Sequence, residues 1–499
     1  MAFSTLTFLI LFLPTVILSY FAVGLIGRLI SHTSLGNKDS LVNPLLPLQN
    51  IVMLIASLIF YAWGEPVHVL LLISASLLAW MGGIGMRWAM KNQRKRLELT
   101  FMSVTIALLI ASLLVFKYLG FLTENLNSIP CFHLPAVDIK LPIGISFYTF
   151  QILSYIIDLH RDRIDVQRNP LRFMLYVSLF PQLIAGPIVR YQTIETELST
   201  RRFNADDIKE GTYRFISGLA KKVLIADNVA RLSDAIYKVY AESGMYNPTA
   251  YDSVGTTALW LASFAYTMQI FFDFSGYSDM AIGLGRIFGF HFPENFNYPY
   301  VSHSLSEFWR RWHISLSSWF RDYVYFPLGG SRCSKSRRTF NILFVWMLTG
   351  LWHGAAWNFV FWGLLNGIIL MIEKIIFDHT GKKNFSRFWG WLYTFVVVDV
   401  CWVLFRHDNF YELKRALSRM FNWHSTDWTR LFAENSDVLL TLGFLPLAFF
   451  LCFPIFEKFM SKKGIGMELT RALLAFLLLL LCFMYIISSS FHPFIYFRF

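Results

Sequence analysis

The chain has 499 residues, of which 55% are hydrophobic and only 15% are charged. Soluble domains usually carry about 25% charged residues, and several uncharged stretches here approach the ~20 residues that cross a ~30 Å hydrocarbon core. This composition excludes a soluble globular protein. The formal net charge of +12 does not indicate nucleic acid binding, because basic residues cluster in short loops such as 91–96 and 332–338, where the positive-inside rule places cytoplasmic charge.

Apolar runs that alternate with basic loops predict an all-α, multi-pass membrane protein with about 10–12 transmembrane helices. The predicted spans lie near 5–29, 48–63, 67–86, 101–120, 143–157, 254–272, 339–376 (two helices broken around 350–358), 388–405, 437–456 and 471–490. The basic loop 87–98 would be cytoplasmic, as would the connections 382–383 and 462–463, so the N-terminus would lie outside. The first span lacks a basic start and a cleavage site, so we expect it to be retained.

Some segments depart from this regular pattern. Pro181 and Gly186-Pro187 interrupt 171–189, which predicts a re-entrant or buried discontinuous segment. Residues 213–240 form a predicted helical stretch, and we expect 273–330 to lie at or within the cytoplasmic face. The loop 406–436 carries apolar residues at helical spacing and would lie on the membrane surface. No internal repeat is evident, so we predict one membrane domain over 1–499, with its core motifs at about 140–365.

Five cysteines with no C-x-x-C spacing imply neither a disulfide framework nor a zinc site. The chain also lacks a Gly-rich phosphate loop, a G-x-S-x-G elbow and an H-E-x-x-H motif. We therefore expect no metal and no permanently bound cofactor.

His353 is the strongest candidate for a catalytic residue, because it lies in Trp352-His353-Gly354 within an apolar run. It follows the basic residue Arg338 by 15 positions, about 22 Å along a helix, which is beyond the midplane of a ~30 Å core. A histidine at this depth is costly and usually faces a cavity or a partner. Imidazole can take a proton from an incoming hydroxyl near neutral pH. The spacing fits a hydrogen-bonded packing histidine too, and it does not choose between an enzyme and a transporter.

A second histidine follows a basic, aromatic segment, Trp309-Arg310-Arg311-Trp312-His313. Arginines beside aromatic rings suit a phosphate-bearing ligand such as coenzyme A. They equally suit an interfacial helix whose arginines meet lipid headgroups and whose tryptophans form an aromatic belt. The residues alone leave both interpretations open.

Polar side chains also follow the predicted span at 254–272, namely Asp273, Ser275, Tyr277, Ser278 and Asp279. The two carboxylates could form a binding funnel, pair with Arg310 or Arg311, or simply end a helix.

Several segments together resemble the membrane-bound O-acyltransferases, and within them the alginate O-acetylation group. The resemblance is carried by LPIGISFY at 141–148, FPQLIAGP at 180–187, FDFSGYSDMAIGLG at 272–285, the segment 308–330, and GLWHGAAWNFVFW at 350–362. It extends from the first span to at least Trp402.

This resemblance implies an all-helical bundle around a central cavity that opens to both membrane faces. His353 matches the family's catalytic histidine, and His313 matches its second histidine. The expected substrate-binding residues are Trp309, Arg310, Arg311, Trp312, Asp273, Ser275, Tyr277, Asp279, Trp352 and Asn358. The donor would be cytoplasmic acetyl-CoA, used as a substrate. The acetyl group would cross a bacterial cytoplasmic (inner) membrane to an extracytoplasmic partner, such as an SGNH-type acetyltransferase, that completes O-acetylation of a polysaccharide.

Three polymers fit this resemblance as the one that is acetylated, namely alginate-type exopolysaccharide, cellulose and peptidoglycan. A D-alanyl transfer protein of teichoic acid synthesis would use a carrier-protein thioester, and the alginate-type motifs disfavour it. A polysaccharide or lipid transporter would favour inverted repeats, which are not evident. We expect specificity for the partner and the polymer to reside in 241–250 and 406–436.

Overall fold

The computed structural model describes residues 2–33, 45–201, 204–246, 254–381, 385–434, 441–460 and 464–488, and these residues form helices and connecting loops without a β-strand. The predicted all-α fold is confirmed. The predictions for the connections 382–383 and 462–463, and for 247–250, fall outside the described residues.

The chain divides into two compact units, Met1–Ile216 with Tyr277–Glu294, and Ser217–Gly276 with Asn295–Phe499. The helices up to the first boundary are α1 (Leu13–Thr33, preceded by the π-helical Thr7–Phe12), α2 (Leu46–Gly64), α3 (Val69–Lys91), α4 (Lys95–Leu113), α5 (Leu119–Asn127), α6 (Ile145–His160), α7 (Pro170–Ser178), α8 (Tyr191–Thr200) and α9 (Ala205–Ala220). The prediction of a single domain stays a prediction.

Helices α9 and α11 each contribute residues to both units, and the remaining helices belong to the second. They are α10 (Asp227–Tyr246), α11 (Thr256–Ile287), α12 (Leu305–Arg311), α13 (Ile314–Phe320), α14 (Lys335–His353), α15 (Trp357–Thr380), α16 (Arg387–Arg406), α17 (Phe410–Phe421), α18 (Trp428–Glu434), α19 (Phe444–Leu451), α20 (Ile455–Met460) and α21 (Ile465–Ser488). Short π-helical segments occur at Leu114–Tyr118, Lys221–Ala226 and Arg321–Tyr325, and a 3₁₀ turn at Pro299–Val301.

Seven helices in the described part of the chain are long and apolar enough to cross a membrane, which supports a multi-pass membrane protein. They are Thr7–Gly27, Leu46–Gly64, Val69–Lys91, Lys95–Asn127, Trp357–Thr380, Arg387–Arg406 and Ile465–Ser488. The predicted 10–12 refer to the whole chain, and the predicted span 437–456 begins outside the described residues. Within the described residues, some predicted spans are short or enclosed by protein. Helix α6 has 16 residues, and α11 is buried along most of its length, so it needs less apolar surface than a helix that faces lipid.

The polar residues after 272 do not end a helix, because α11 continues to Ile287. Its glycines permit close packing instead. A Cβ at Gly276 would lie 2.8 Å from the carbonyl oxygen of Gly218. The alternative in which these residues end a helix is therefore wrong, and the polar side chains project from a continuous helix.

The predicted discontinuity at 171–189 is confirmed. The side chain of Asn169 caps α7 by accepting hydrogen bonds from the amides of Leu171 and Arg172, and Pro170 occupies the first turn, where its missing N–H costs little. The helix ends at Ser178, before Pro181.

Helices α14 and α15 form the hairpin that positions the candidate site. This confirms the predicted break between two helices near 350–358. Helix α14 ends at His353 because Gly354 is extended, with φ −165°, and α15 starts after the extended Ala356. The two helices pack closely through glycines. A Cβ at Gly350 would overlap the carbonyl oxygen of Phe359, and one at Gly363 would overlap that of Trp346.

Replacing Gly363 with alanine is therefore expected to destabilise the protein, although alanine is the better helix former by ~0.5–1 kcal/mol. Overpacking against backbone costs about 1–3 kcal/mol, so the midpoint of thermal unfolding in detergent should fall. Gly466 in α21 is the matched control, because a Cβ there meets nothing within 4 Å and Gly466→Ala should leave the midpoint unchanged or raise it. An unfolding midpoint for Gly363→Ala at or above the wild-type value would contradict this packing argument.

Candidate active site

His353 lies at the tip of the α14–α15 hairpin, in the last turn of α14, and is 5% exposed. Aromatic rings surround its imidazole. The ring centroids of Trp352, Trp362 and Phe405 lie 4.9, 5.2 and 5.2 Å away, each in an edge-on arrangement. A histidine in so apolar an enclosure is shielded from water, which strengthens any electrostatic interaction that it makes with a bound group.

Helix α12 carries Trp309, Arg310 and Arg311 of the predicted segment, with Trp312 directly after it, and a buried carboxylate attaches the helix to α15. Glu373 of α15 is 1% exposed, and it accepts hydrogen bonds from the backbone amides of Leu305 and Ser306 at 2.6 and 2.9 Å. Amides at a helix N-terminus have no acceptor within the helix, and a negative charge is favourable there. Glu373 therefore fixes α12 against the hairpin that bears His353.

His313 follows α12 and adopts a left-handed backbone conformation, with φ +44° and ψ +54°. Backbone hydrogen bonds hold this conformation, from the amide of Ile314 to the carbonyl of Asn295 at 2.9 Å and from the amide of Asn297 to the carbonyl of Arg311 at 2.9 Å. A non-glycine residue with this geometry is uncommon and is often a functional position.

Hydrogen bonding to Asn295 determines the tautomer of His313. The backbone amide of Ser315, which can only donate, points to the same side-chain atom of Asn295 at 3.3 Å, so that atom is the carbonyl oxygen Oδ1. Nδ1 of His313 lies 3.1 Å from this oxygen and therefore donates its proton to it. Nε2 then carries the lone pair, and it is buried without a hydrogen-bond partner among the described residues.

His313 lies outside the seven candidate spans, and burial lowers the pKa of its imidazole to about 3. The side chain is consequently neutral near pH 7, where Nε2 can accept a hydrogen bond but is a weak base.

The indole of Trp352 lies between the two histidines. Its ring centroid is 5.8 Å from that of His313 and 4.9 Å from that of His353. Further indoles extend the cluster from α12 to α16, with Trp309 5.6 Å from Trp362 and Trp312 5.0 Å from Trp402. The structure thus places both predicted histidines in one buried aromatic environment within the second unit.

Comparison with known proteins identifies the class of this site. The model of the membrane-bound O-acyltransferase family matches residues 159–407, which include both histidines and helices α12 to α16. A probable alginate O-acetylase AlgI of Pseudomonas putida is 36% identical over the whole length of both chains. The corresponding protein of Pseudomonas aeruginosa is 38% identical over 90% of this chain and 81% of its own. A peptidoglycan O-acetyltransferase of Helicobacter pylori is 32% identical over 100% of this chain and 97% of its own.

The chain belongs to the membrane-bound O-acyltransferase family. It is therefore an enzyme that transfers acyl groups, and the alternative of a non-enzymatic transporter is excluded.

The predicted cationic residues of this acyltransferase differ in how far they are available to a ligand. Arg311 is bound to Glu307 at 2.9 Å. Arg310 is exposed and makes no ion pair or hydrogen bond within the described ranges. Arg310 is thus the member of this group that is open to an anionic ligand.

The possible pairing of Asp273 and Asp279 with Arg310 or Arg311 is wrong. Asp273 is bound to the buried Lys222 at 2.7 Å, and Asp279 to Arg214 at 2.6 Å.

Other predicted substrate-binding residues are buried in different surroundings. Ser275 is 2% exposed in the second unit. The ring of Tyr277 stacks on that of Phe3, with 4.7 Å between their centroids. This contact and the ion pair of Asp279 both lie within the first unit. Asn358, in the first turn of α15, is 2% exposed, and its Nδ2 lies 3.5 Å from Asp408 Oδ1. A substrate-binding role for these residues stays a prediction.

Sequence reasoning missed two polar groups at this site, Asn295 and the indole of Trp362. Trp362 is fully buried, and its Nε1 has no hydrogen-bond acceptor among the described residues. An indole N–H can only donate, and leaving it unsatisfied usually costs about 1–3 kcal/mol. Trp362 lies in the motif at 350–362, but its candidate role becomes evident only from its burial beside His353. Within the described residues, no group of three or more His, Cys, Asp or Glu could hold a metal ion.

Proposed function

We propose that this acyltransferase takes an acetyl group from acetyl-CoA and supplies it for O-acetylation of an extracytoplasmic polysaccharide of the alginate type. One observation carries the proposal: two buried histidines share the indole of Trp352 in a chain that matches a probable alginate O-acetylase over its full length. The protein would act in the bacterial cytoplasmic membrane, with an SGNH-type acetyltransferase or a similar polysaccharide-modifying protein as its extracytoplasmic partner. The exposed Arg310 would receive the phosphates of acetyl-CoA, since guanidinium binds phosphate oxygens in pairs.

In the proposed reaction, the imidazole of His353 acts as general base. It removes the proton of the acceptor hydroxyl as the hydroxyl oxygen attacks the thioester carbon, and the carbonyl electron pair moves onto oxygen. When the carbonyl re-forms, the C–S bond breaks, and the departing sulfur takes the proton from the imidazolium. The products are an O-acetyl ester and free coenzyme A, so no oxidant or cofactor is needed.

Trp362 would stabilise the negative oxygen formed in this reaction. Its buried N–H needs an acceptor, and its ring lies 5.2 Å from the imidazole of His353. A preorganised donor in a water-excluded site is the arrangement that stabilises a developing oxyanion.

His313 would orient the acceptor rather than act as a base, because its neutral Nε2 can accept the hydrogen bond of a substrate hydroxyl. This role depends on Asn295. Replacing Asn295 with alanine frees the ring to adopt the other tautomer, and we expect the acetyl-transfer rate to fall about tenfold, the order of one lost positioning hydrogen bond. His313→Ala should lower the rate at least as much, and combining the two substitutions should add little. Rates measured in membranes matched for protein content test this; additive effects would contradict a shared role.

Peptidoglycan is the second candidate polymer, because the Helicobacter pylori peptidoglycan O-acetyltransferase also matches the chain over nearly its full length. Deleting the gene and measuring base-labile acetate on exopolysaccharide, cellulose and peptidoglycan separates the candidates. We expect acetate to disappear from exopolysaccharide alone. Loss from peptidoglycan or cellulose alone would favour those polymers, and unchanged acetate on all three would contradict the proposed function.

A further inference from the structure

A groove of about 650 Å³ lies in the second unit, between the end of α12, the start of α16 and the region around α19. Charged side chains line one part of it, and aromatic rings line the rest. Neither His353 nor His313 contributes to its lining. Arg311 is the predicted substrate-binding residue that lines it, and Arg311 is bound to Glu307.

In the charged part of the groove, Arg387 is the basic side chain that a ligand can reach. Arg311 and Glu307 both line it, but they are bound to each other. Arg387, the first residue of α16, is exposed and makes no ion pair or hydrogen bond within the parts of the chain that are described. Its guanidinium is therefore available to an anion that enters the groove.

The aromatic part of the groove is held in place. Trp391 donates its indole N–H to the carbonyl oxygen of Tyr300 at 3.0 Å. Its ring contacts Phe449 at 6.3 Å, and Phe449 contacts Phe453 at 5.3 Å. This row of rings offers a continuous apolar surface to a hydrocarbon chain.

The position of α16 indicates the depth of the groove in the membrane. Arg387–Arg406 is a candidate span that begins at Arg387, and the next two residues, Phe388 and Trp389, are 61% and 69% exposed. Exposed aromatic and basic side chains at the end of a span are typical of the membrane–water interface. The charged part of the groove therefore lies at the level of the lipid headgroups, and the rings lie along the first turns of the span.

We propose that this groove binds an anionic glycerophospholipid. Arg387 holds the headgroup phosphate through charge-assisted hydrogen bonds, and an acyl chain lies along Trp391, Phe449 and Phe453. A lipid matches both parts of the groove, whereas a soluble phosphate would use only the charged part.

Native mass spectrometry of the full-length protein in detergent, titrated with phosphatidylglycerol or phosphatidylcholine, tests this site. Arg387→Ala should weaken phosphatidylglycerol binding about fivefold, the effect of one basic residue on an anionic lipid. It should weaken phosphatidylcholine binding less, because the choline cation offsets the charge of the phosphate. Phe388→Ala removes an exposed ring that lines the groove and should weaken the binding of both lipids. The matched control is Arg96→Ala, because Arg96 is an exposed arginine in the first turn of α4, another span, and lies outside the groove.

Equal losses of phosphatidylglycerol binding in Arg387→Ala and Arg96→Ala would overturn the proposal, because they would indicate general surface charge. Displacement of the lipid by equimolar glycerol 3-phosphate or coenzyme A would also overturn it, because the groove would then be a site for soluble phosphates. These readouts measure binding alone, so they do not depend on whether the proposed acetyl transfer is correct.

Discussion

Replacing His353 with alanine is expected to lower the acetyl content of the polymer to the level of a gene deletion. A positioned general base contributes about 10²–10⁴-fold to a rate. His313 is a weak base, because burial lowers the pKa of its imidazole to about 3, so we do not expect it to replace His353. Base-labile acetate on polymer from deletion cells that carry a plasmid copy of the gene measures the effect.

His379 supplies a matched control for this variant. It is an exposed histidine in the last turn of α15, so His379→Ala should restore acetylation as well as the wild type does. Membrane fractionation should find both variants inserted at equal levels. Normal acetyl content in cells that express His353→Ala would remove His353 from the mechanism.

Replacing Trp362 with phenylalanine should lower kcat about 10²-fold while changing KM little. The substitution removes the indole N–H and keeps an aromatic ring, and the loss of one oxyanion donor typically costs about 10²–10³-fold in kcat. Because the charge on the carbonyl oxygen develops only during the reaction, the lost hydrogen bond affects the transition state more than the bound substrate. Initial rates of coenzyme A release over a range of acetyl-CoA concentrations separate the two constants.

Trp346 provides the control for the loss of an indole from the same cluster. Its ring contacts Trp309 at 4.9 Å and Trp362 at 6.2 Å, so Trp346→Phe disturbs the packing without removing the proposed donor. We expect its kcat to stay within a few-fold of the wild-type value. Equal kcat losses in Trp346→Phe and Trp362→Phe would attribute the effect to packing and contradict the role of the Trp362 N–H.

The sequence alone predicted those parts of the fold and site that depend on local patterns. Long apolar runs located most spans, and the break around 350–358 correctly predicted the turn between α14 and α15. The histidine motifs drew attention to His353 and His313, and the structure places both beside Trp352.

Interactions between distant residues were not predictable in this way. The bond that sets the tautomer of His313 comes from Asn295, 18 positions away. It depends on a left-handed backbone, which is uncommon for a residue other than glycine. The partner of Asp273 lies on the π-helical segment after α9, and that of Asp279 lies on α9. Pairing with Arg310 or Arg311 was one of the alternatives that the sequence left open. Helix α11 extends beyond the predicted span at 254–272, and its glycines serve close packing, which a single sequence does not distinguish from helix breaking.

His353 is central to the proposed transfer of an acetyl group from acetyl-CoA to a hydroxyl. The most direct test of this role uses inverted membrane vesicles from deletion cells that express the wild type or His353→Ala, supplied with acetyl-CoA that is labelled in the acetyl group. We predict that label enters alkali-labile ester on the polymer with the wild type, with equimolar release of coenzyme A, and that His353→Ala gives neither product. Equal incorporation of label by the two proteins would contradict the account.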